Sequence, residues 1–292
     1  MKNINIKWIY LIVLSIIWGS SFILIKKSLL GLTPYQLGAL RTIITGIILF
    51  AFGHPKLKGI PKSKWKWLCL SGLLGSFFPA FFFAIAETEI DSAVASILNS
   101  LVPLNTIILG FAVFKITSTR RQVLGVIIGF IGTAILILKG SELNPNQDYL
   151  YAGFVIASTL MYAANVNIIK RYLQDVKPLA IATGNYVFIV IPALVVLLLT
   201  DFFTSDRLNS PDLPSSLLFV IILSVFGTAL AKVVFNKLVQ ISTPVFASSV
   251  TYIMPIIALL WGVLDGESFS FTQALAALLI LVGVYLSHRR KT

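Results

Sequence analysis

The 292-residue chain is 57% hydrophobic and only 12% charged, against about 25% charged residues in an ordinary soluble domain. With a mean hydropathy of +0.92, this composition excludes a soluble fold. The formal charge of +12 does not imply a nucleic-acid partner, because the basic residues sit in short segments between apolar runs, where they set membrane orientation.

Windows of about 19 residues pick candidate spans at 8–25, 34–52, 66–86, 92–114, 121–138, 149–169, 178–200, 217–239, 244–264 and 271–287. The first follows Lys2 and Lys7 and has no convincing small-residue cleavage site, so it reads as a retained helix rather than a signal peptide. It carries Trp18. The second carries Arg41, a cation inside an apolar run. The third ends at the acidic cluster Glu87, Glu89 and Asp91. In the fourth, Ser92, Ser96, Asn99 and Pro103 share one helical face. The fifth holds Gly125 and Gly129, a GxxxG pair suited to close helix packing within a protomer or in a dimer. Ser158, Tyr162 and Asn165 mark one face of the sixth, and the seventh holds Asn185. Asp201 to Ser216, with Pro211 and Pro214, reads as a surface loop. The eighth contains Lys232, and Thr228, Lys232, Asn236 and Gln240 recur every four residues around it. In the ninth, Ser248, Tyr252 and Pro255 repeat the pattern of the fourth.

Charge fixes an expected orientation. With the N-terminus in the cytoplasm, 17 of the 23 Lys and Arg fall on the cytoplasmic side: Lys2, Lys7, Lys56, Lys58, Lys62, Lys64, Lys66, Lys115, Arg120, Arg121, Lys170, Arg171, Lys177, Lys237, Arg289, Arg290 and Lys291. Lys26, Lys27, Lys139 and Arg207 fall outside, and Arg41 and Lys232 within spans. Both termini are therefore expected in the cytoplasm.

An internal repeat is also legible. At an offset of 144, Trp18 meets Tyr162, Lys26 meets Lys170, Lys27 meets Arg171, Pro34 meets Pro178 and Arg41 meets Asn185. At 152, Gly75 meets Gly227, Ala95 and Ser96 meet Ala247 and Ser248, and Pro103 meets Pro255. Five spans per half is an odd number, so the halves should lie in opposite orientations, with a site at their interface. The expected fold is an all-α membrane protein of ten transmembrane helices in two inverted five-helix repeats, 1–140 and 141–292, with both termini cytoplasmic.

The residues Trp18-Gly19-Ser20-Ser21-Phe22, Arg41, Ala95-Ser96 through Pro103, Ala247-Ser248 through Pro255, and Gly266-Glu267 resemble the drug/metabolite transporter superfamily, specifically its ten-helix EamA-type members. That resemblance implies an alternating-access carrier, commonly an exporter of amino acids or other small metabolites. Two features depart from the pattern. Glu267 has Lys115 as its counterpart by offset, and Lys232 stands where many relatives are expected to be aromatic or apolar.

Candidate substrate-binding residues are Lys232, Asn236, Asn99, Tyr252, Asn165, Trp18 and Arg41. A lysine within a span either faces a cavity and an anionic substrate group or snorkels to the membrane surface. Arg41 is either a second anion contact or an inter-helix clamp. Asn99, Asn165, Tyr252 and Trp18 either line the cavity or pack. Pro103 and Pro255 are candidate helix hinges, since proline removes a backbone donor. Glu87 is the candidate for proton coupling; its alternative is a solvated loop. The single Cys69 excludes an internal disulfide and a multi-Cys metal site, and the distant His54 and His288 form neither a metal site nor a triad. With no phosphate-binding Gly-rich loop, no cofactor is expected. The reading is an inner-membrane secondary transporter, a monomer or homodimer, exporting small metabolites that bear an anionic group. A membrane-embedded enzyme or a channel is the alternative.

Overall fold

The computed structural model describes residues 2–114, 120–143, 146–267 and 270–288. Lys115, the loop counterpart of Glu267, and the C-terminal Arg289, Arg290 and Lys291 lie outside them. Among the described residues the regular elements are all helices, joined by turns and short connections, without strands.

Eight helices are long and apolar enough to cross a membrane. They are α1 (Lys2–Ser28), α2 (Pro34–Gly53), α3 (Lys62–Ala86), α4 (Ser92–Val113), α6 (Tyr149–Tyr172), α7 (Pro178–Leu198), α8 (Leu213–Ile241) and α9 (Pro244–Leu264). Two more elements, α5 (Arg120–Leu143) and α10 (Phe271–His288), contain the shorter apolar stretches Ile127–Lys139 and Phe271–Gly283. The chain is a multi-pass membrane protein.

Local sequence sets where helices begin. Thr33 accepts the Gln36 amide while the Gln36 side chain accepts the Thr33 amide, and Pro34 follows. This capping box satisfies two orphan donors, and proline at the first turn forfeits nothing. Thr243 likewise accepts the Phe246 amide at the start of α9, with Pro244 following, though without the reciprocal bond. Pro214 also begins a helix: α8 starts at Leu213, inside the segment expected to be loop. Short helical turns at Asp201–Phe203 and Ser205–Leu208 occupy more of that segment.

Four irregularities shape the interior. α3 contains a π-helical segment, Leu73–Phe77, and α8 contains another, Leu223–Leu230. α4 is interrupted by a turn at Ser100–Leu101 between Ser92–Asn99 and Val102–Phe114. α9 passes through a 3-10 turn, Ser249–Tyr252, before Met254–Leu264. Pro103 and Pro255 are the second residues of the restarted helices. They therefore follow breaks in the helix path rather than kinking continuous helices, because proline is accommodated in a first turn but not in an interior.

α5 packs chiefly on α10, α2 on α7, and α1 on α9, α8 and α4. The GxxxG pair is consumed inside the chain: a methyl group built on Gly283 of α10 would meet the backbone of Gly125 and Gly129. Small residues let these two backbones approach closely.

Candidate functional site

The first eight-helix set encloses a cavity of about 120 Å³. Its wall draws on α1, α2, α3, α4, α6, α7, α8 and α9, and among the described residues none of it comes from α5 or α10. Of the residues singled out in the sequence, Lys232, Arg41, Asn99, Asn165 and Trp18 all reach this cavity.

Lys232 is 7% exposed. Its ammonium donates to the Gly75 carbonyl oxygen on α3 at 3.0 Å. The side chain thus crosses to another helix rather than extending along its own. Arg41 Nε donates to Thr228 Oγ1 at 2.9 Å. Neither cation has an acidic partner among the described residues, and the cavity wall holds no carboxylate. Their hydrogen-bond partners among the described residues are neutral oxygens, a costly way to hold two basic groups away from water. The wall is therefore electropositive and predisposed to an anion.

The rest of the wall is aromatic or neutral. The Trp18 ring stands edge-on to Phe235, centroids 5.0 Å apart, and its Nε1 donates to the Gly227 carbonyl at 2.9 Å. Phe22, Phe83 and Tyr162 add further ring surface. Asn165 Oδ1 accepts from Ser71 Oγ at 2.6 Å, which fixes its amide beside Gly75. Asn99 is buried, and its Oδ1 has no partner among the described residues.

Asn236 and Tyr252 do not line the cavity. A step of four residues advances about 40° beyond a full helical turn, so the row Thr228, Lys232, Asn236, Gln240 winds off the cavity. Asn236 donates to Pro178 O at 3.2 Å, and Gln240 to Leu173 O and Val176 O. Both tie α8 to its neighbours. Tyr252 is displaced by the 3-10 turn, in which residues three apart share a face: Ser248 and Thr251 reach the cavity instead. The sequence reading did not place Ser21, Thr42, Ser76, Tyr186 or the Gly75 and Gly227 backbones in the site. The available signals were the Trp18–Phe22 motif, which contains Ser21, and the glycine pairing at offset 152.

Glu87 lies just past the end of α3, outside the cavity wall, and is 7% exposed. It is not solvated, and neither carboxyl oxygen has a partner among the described residues. Burial pushes its carboxyl well above the usual carboxylate range; nearby Glu267 adds to this, while Arg41 and Lys26 oppose it.

Glu267 has a different role. Its Oε1 accepts from Lys26 Nζ at 2.9 Å, from Ser92 Oγ at 2.7 Å and from the Ser92 amide at 3.2 Å, and Oε2 accepts from the Ala93 amide at 3.2 Å. It caps the N-terminus of α4 from the α9–α10 connection. Asp265 takes Lys26 at 2.9 Å and also Lys27. The α1, α4 and α9 ends are thus closed by carboxylates. Where α6 and α8 finish, Lys170 instead donates to the carbonyls of Val239, Gln240 and Ser242.

This arrangement offers a place for a small molecule with an anionic group and an apolar body. Among the described residues the wall holds no histidine, cysteine or carboxylate.

Comparison with known proteins agrees. An uncharacterized transporter of Archaeoglobus fulgidus is 28% identical over 295 residues, covering 98% of this chain and 99% of the relative. The uncharacterized inner membrane transporter YedA of Escherichia coli (strain K12) is 27% identical, covering 94% and 88%. A probable amino-acid metabolite efflux pump of Salmonella typhimurium is 24% identical, covering 93% and 91%. A solved crystal structure shares the fold with a TM-score of 0.64 at 19% identity, over 98% of this chain and 97% of the other. The EamA-like transporter family matches residues 6–138 and again residues 150–289. A multi-pass helical bundle around an electropositive cavity is thus joined to a family match over nearly its whole length, and the chain belongs to the EamA-like transporter family.

Proposed function

We propose that this transporter is a secondary carrier that exports small metabolites bearing an anionic group across the inner membrane by alternating access. The observation that carries the substrate class is the pairing of Arg41 and Lys232 in one cavity wall without a carboxylate. The aromatic surface of Trp18, Phe22, Phe83, Tyr162 and Phe235 suits an apolar body on the same molecule. Export and the inner-membrane location draw support from the relatives named as an efflux pump and an inner membrane transporter.

The mechanism reads as rocking between two inverted halves, 1–140 and 141–292, each with five spans and both termini cytoplasmic. Support comes from the paired irregularities. The π segments of α3 and α8 stand at corresponding places, as do the breaks in α4 and α9. The family also matches the chain twice. Broken helices at the meeting of two repeats are a recurring carrier device. Glu87 is the carboxyl available for proton coupling, and the functional unit is a monomer or homodimer.

Counterflow tests the carrier reading. Proteoliposomes loaded with labelled small carboxylates should release them faster when unlabelled substrate is added outside. A flux without that trans-effect refutes a carrier and favours a channel.

A further inference from the structure

In a regular α-helix the carbonyl of residue 75 would receive the amide of residue 79. Residue 79 is proline and has none. Gly75, in the π segment of α3, accepts Lys232 Nζ instead. Gly227, in the π segment of α8, accepts Trp18 Nε1. Gly75 and Gly227 correspond at an offset of 152, and Trp18 and Tyr162 at 144. By these offsets Tyr162 stands to Gly75 in the sequence as Trp18 stands to Gly227. Tyr162 lines the same cavity and lies about one turn before Asn165, whose side chain packs on Gly75. Its hydroxyl has no hydrogen-bond partner among the described residues.

We propose that the Gly75 carbonyl is a two-donor switch that reports substrate binding: Lys232 holds it in the empty carrier, and the Tyr162 hydroxyl takes it when a substrate anion draws the ammonium away. A buried carbonyl left without a donor would oppose binding, so the second donor permits Lys232 to leave. Anion binding then replaces a contact between α3 and α8 with one between α3 and α6. The inference rests on the anionic-substrate reading above.

The test is a double-mutant cycle on full-length purified protein, with affinity taken from the ligand dependence of thermal stability. Sodium benzoate and inorganic phosphate are the probes. Wild type should be stabilised by at least one of them, and Lys232→Gln should abolish the effect. Tyr162→Phe keeps the ring but loses the donor, and should weaken binding by about ten-fold. Pro79→Ala supplies an amide at residue 79 and should restore most of that loss in the Tyr162→Phe background. Tyr162→Trp, which returns a ring donor as Trp18 does, should restore it without altering residue 79 and serves if Pro79→Ala does not fold. Additive effects, or a loss that follows Asn165→Ala rather than Tyr162→Phe, overturn the switch alone. Failure of both probes on wild type overturns the anionic reading and the switch together.

Discussion

Lys26 Nζ lies 2.9 Å from Glu267 Oε1, an ion pair joining α1 to the α9–α10 connection. The same carboxylate caps α4, so three elements meet on one buried group. Glu267→Gln should lower stability by on the order of 2 kcal/mol, because it strips the charge from a capping carboxylate and leaves Lys26 with Asp265 only. Asp265→Asn should cost less, since that pair is more solvated. Thermal unfolding in detergent micelles at pH 7 reads both, and equal effects would contradict the capping role.

Glu87 predicts a pH dependence. Its folded-state pKa is raised from 4.5 by burial, so the folded chain holds a proton that the unfolded chain releases. The stability contribution is full below about pH 4.5 and is lost as pH rises through the raised value. Wild-type thermal stability should therefore fall across that window. Glu87→Gln should flatten the profile and exceed wild type at high pH. A fall of the same depth in the variant would remove Glu87 as its source.

Lys232→Gln should reduce anion transport at least ten-fold with insertion and folding retained, because the amide keeps a donor for Gly75 but lacks the charge. Asn236→Ala should show the opposite pattern: its contact to Pro178 is structural, so stability falls by about 1 kcal/mol while transport by the folded fraction persists. Flux in proteoliposomes, normalised to reconstituted folded protein, separates the two.

Gly283→Leu should destabilise the α5–α10 pair by about 1–3 kcal/mol or more, since its Cβ would stand 2.6 Å from the Gly125 oxygen. Ligand affinity of the folded protein should be unchanged, as neither helix contributes to the described cavity wall.

Hydropathy windows found the helices because burial in lipid demands long apolar runs. They misjudged ends, since α1 and α8 extend beyond the expected 8–25 and 217–239, where polar residues continue the helix. Lys232, Arg41 and Asn165 were legible because a polar group in an apolar span needs a partner. Asn236 and Tyr252 misled because periodicity assumes an unbroken α-helix, and neither the drift of a four-residue row nor the 3-10 turn in α9 appears in a residue pattern. No local pattern announces that the Lys232 side chain reaches the Gly75 carbonyl of α3.

A π segment is, in covalent terms, one residue inserted into a helix. Everything beyond it is turned by about 100° relative to an uninterrupted helix. The segment Leu223–Leu230 therefore sets the azimuth of the whole C-terminal part of α8, Lys232 included. Deleting a single lipid-facing residue there, such as Phe226 or Leu230, would swing the ammonium off the cavity without changing any side chain that lines it. Such a deletion would take Lys232 out of the wall while every other lining side chain keeps its identity.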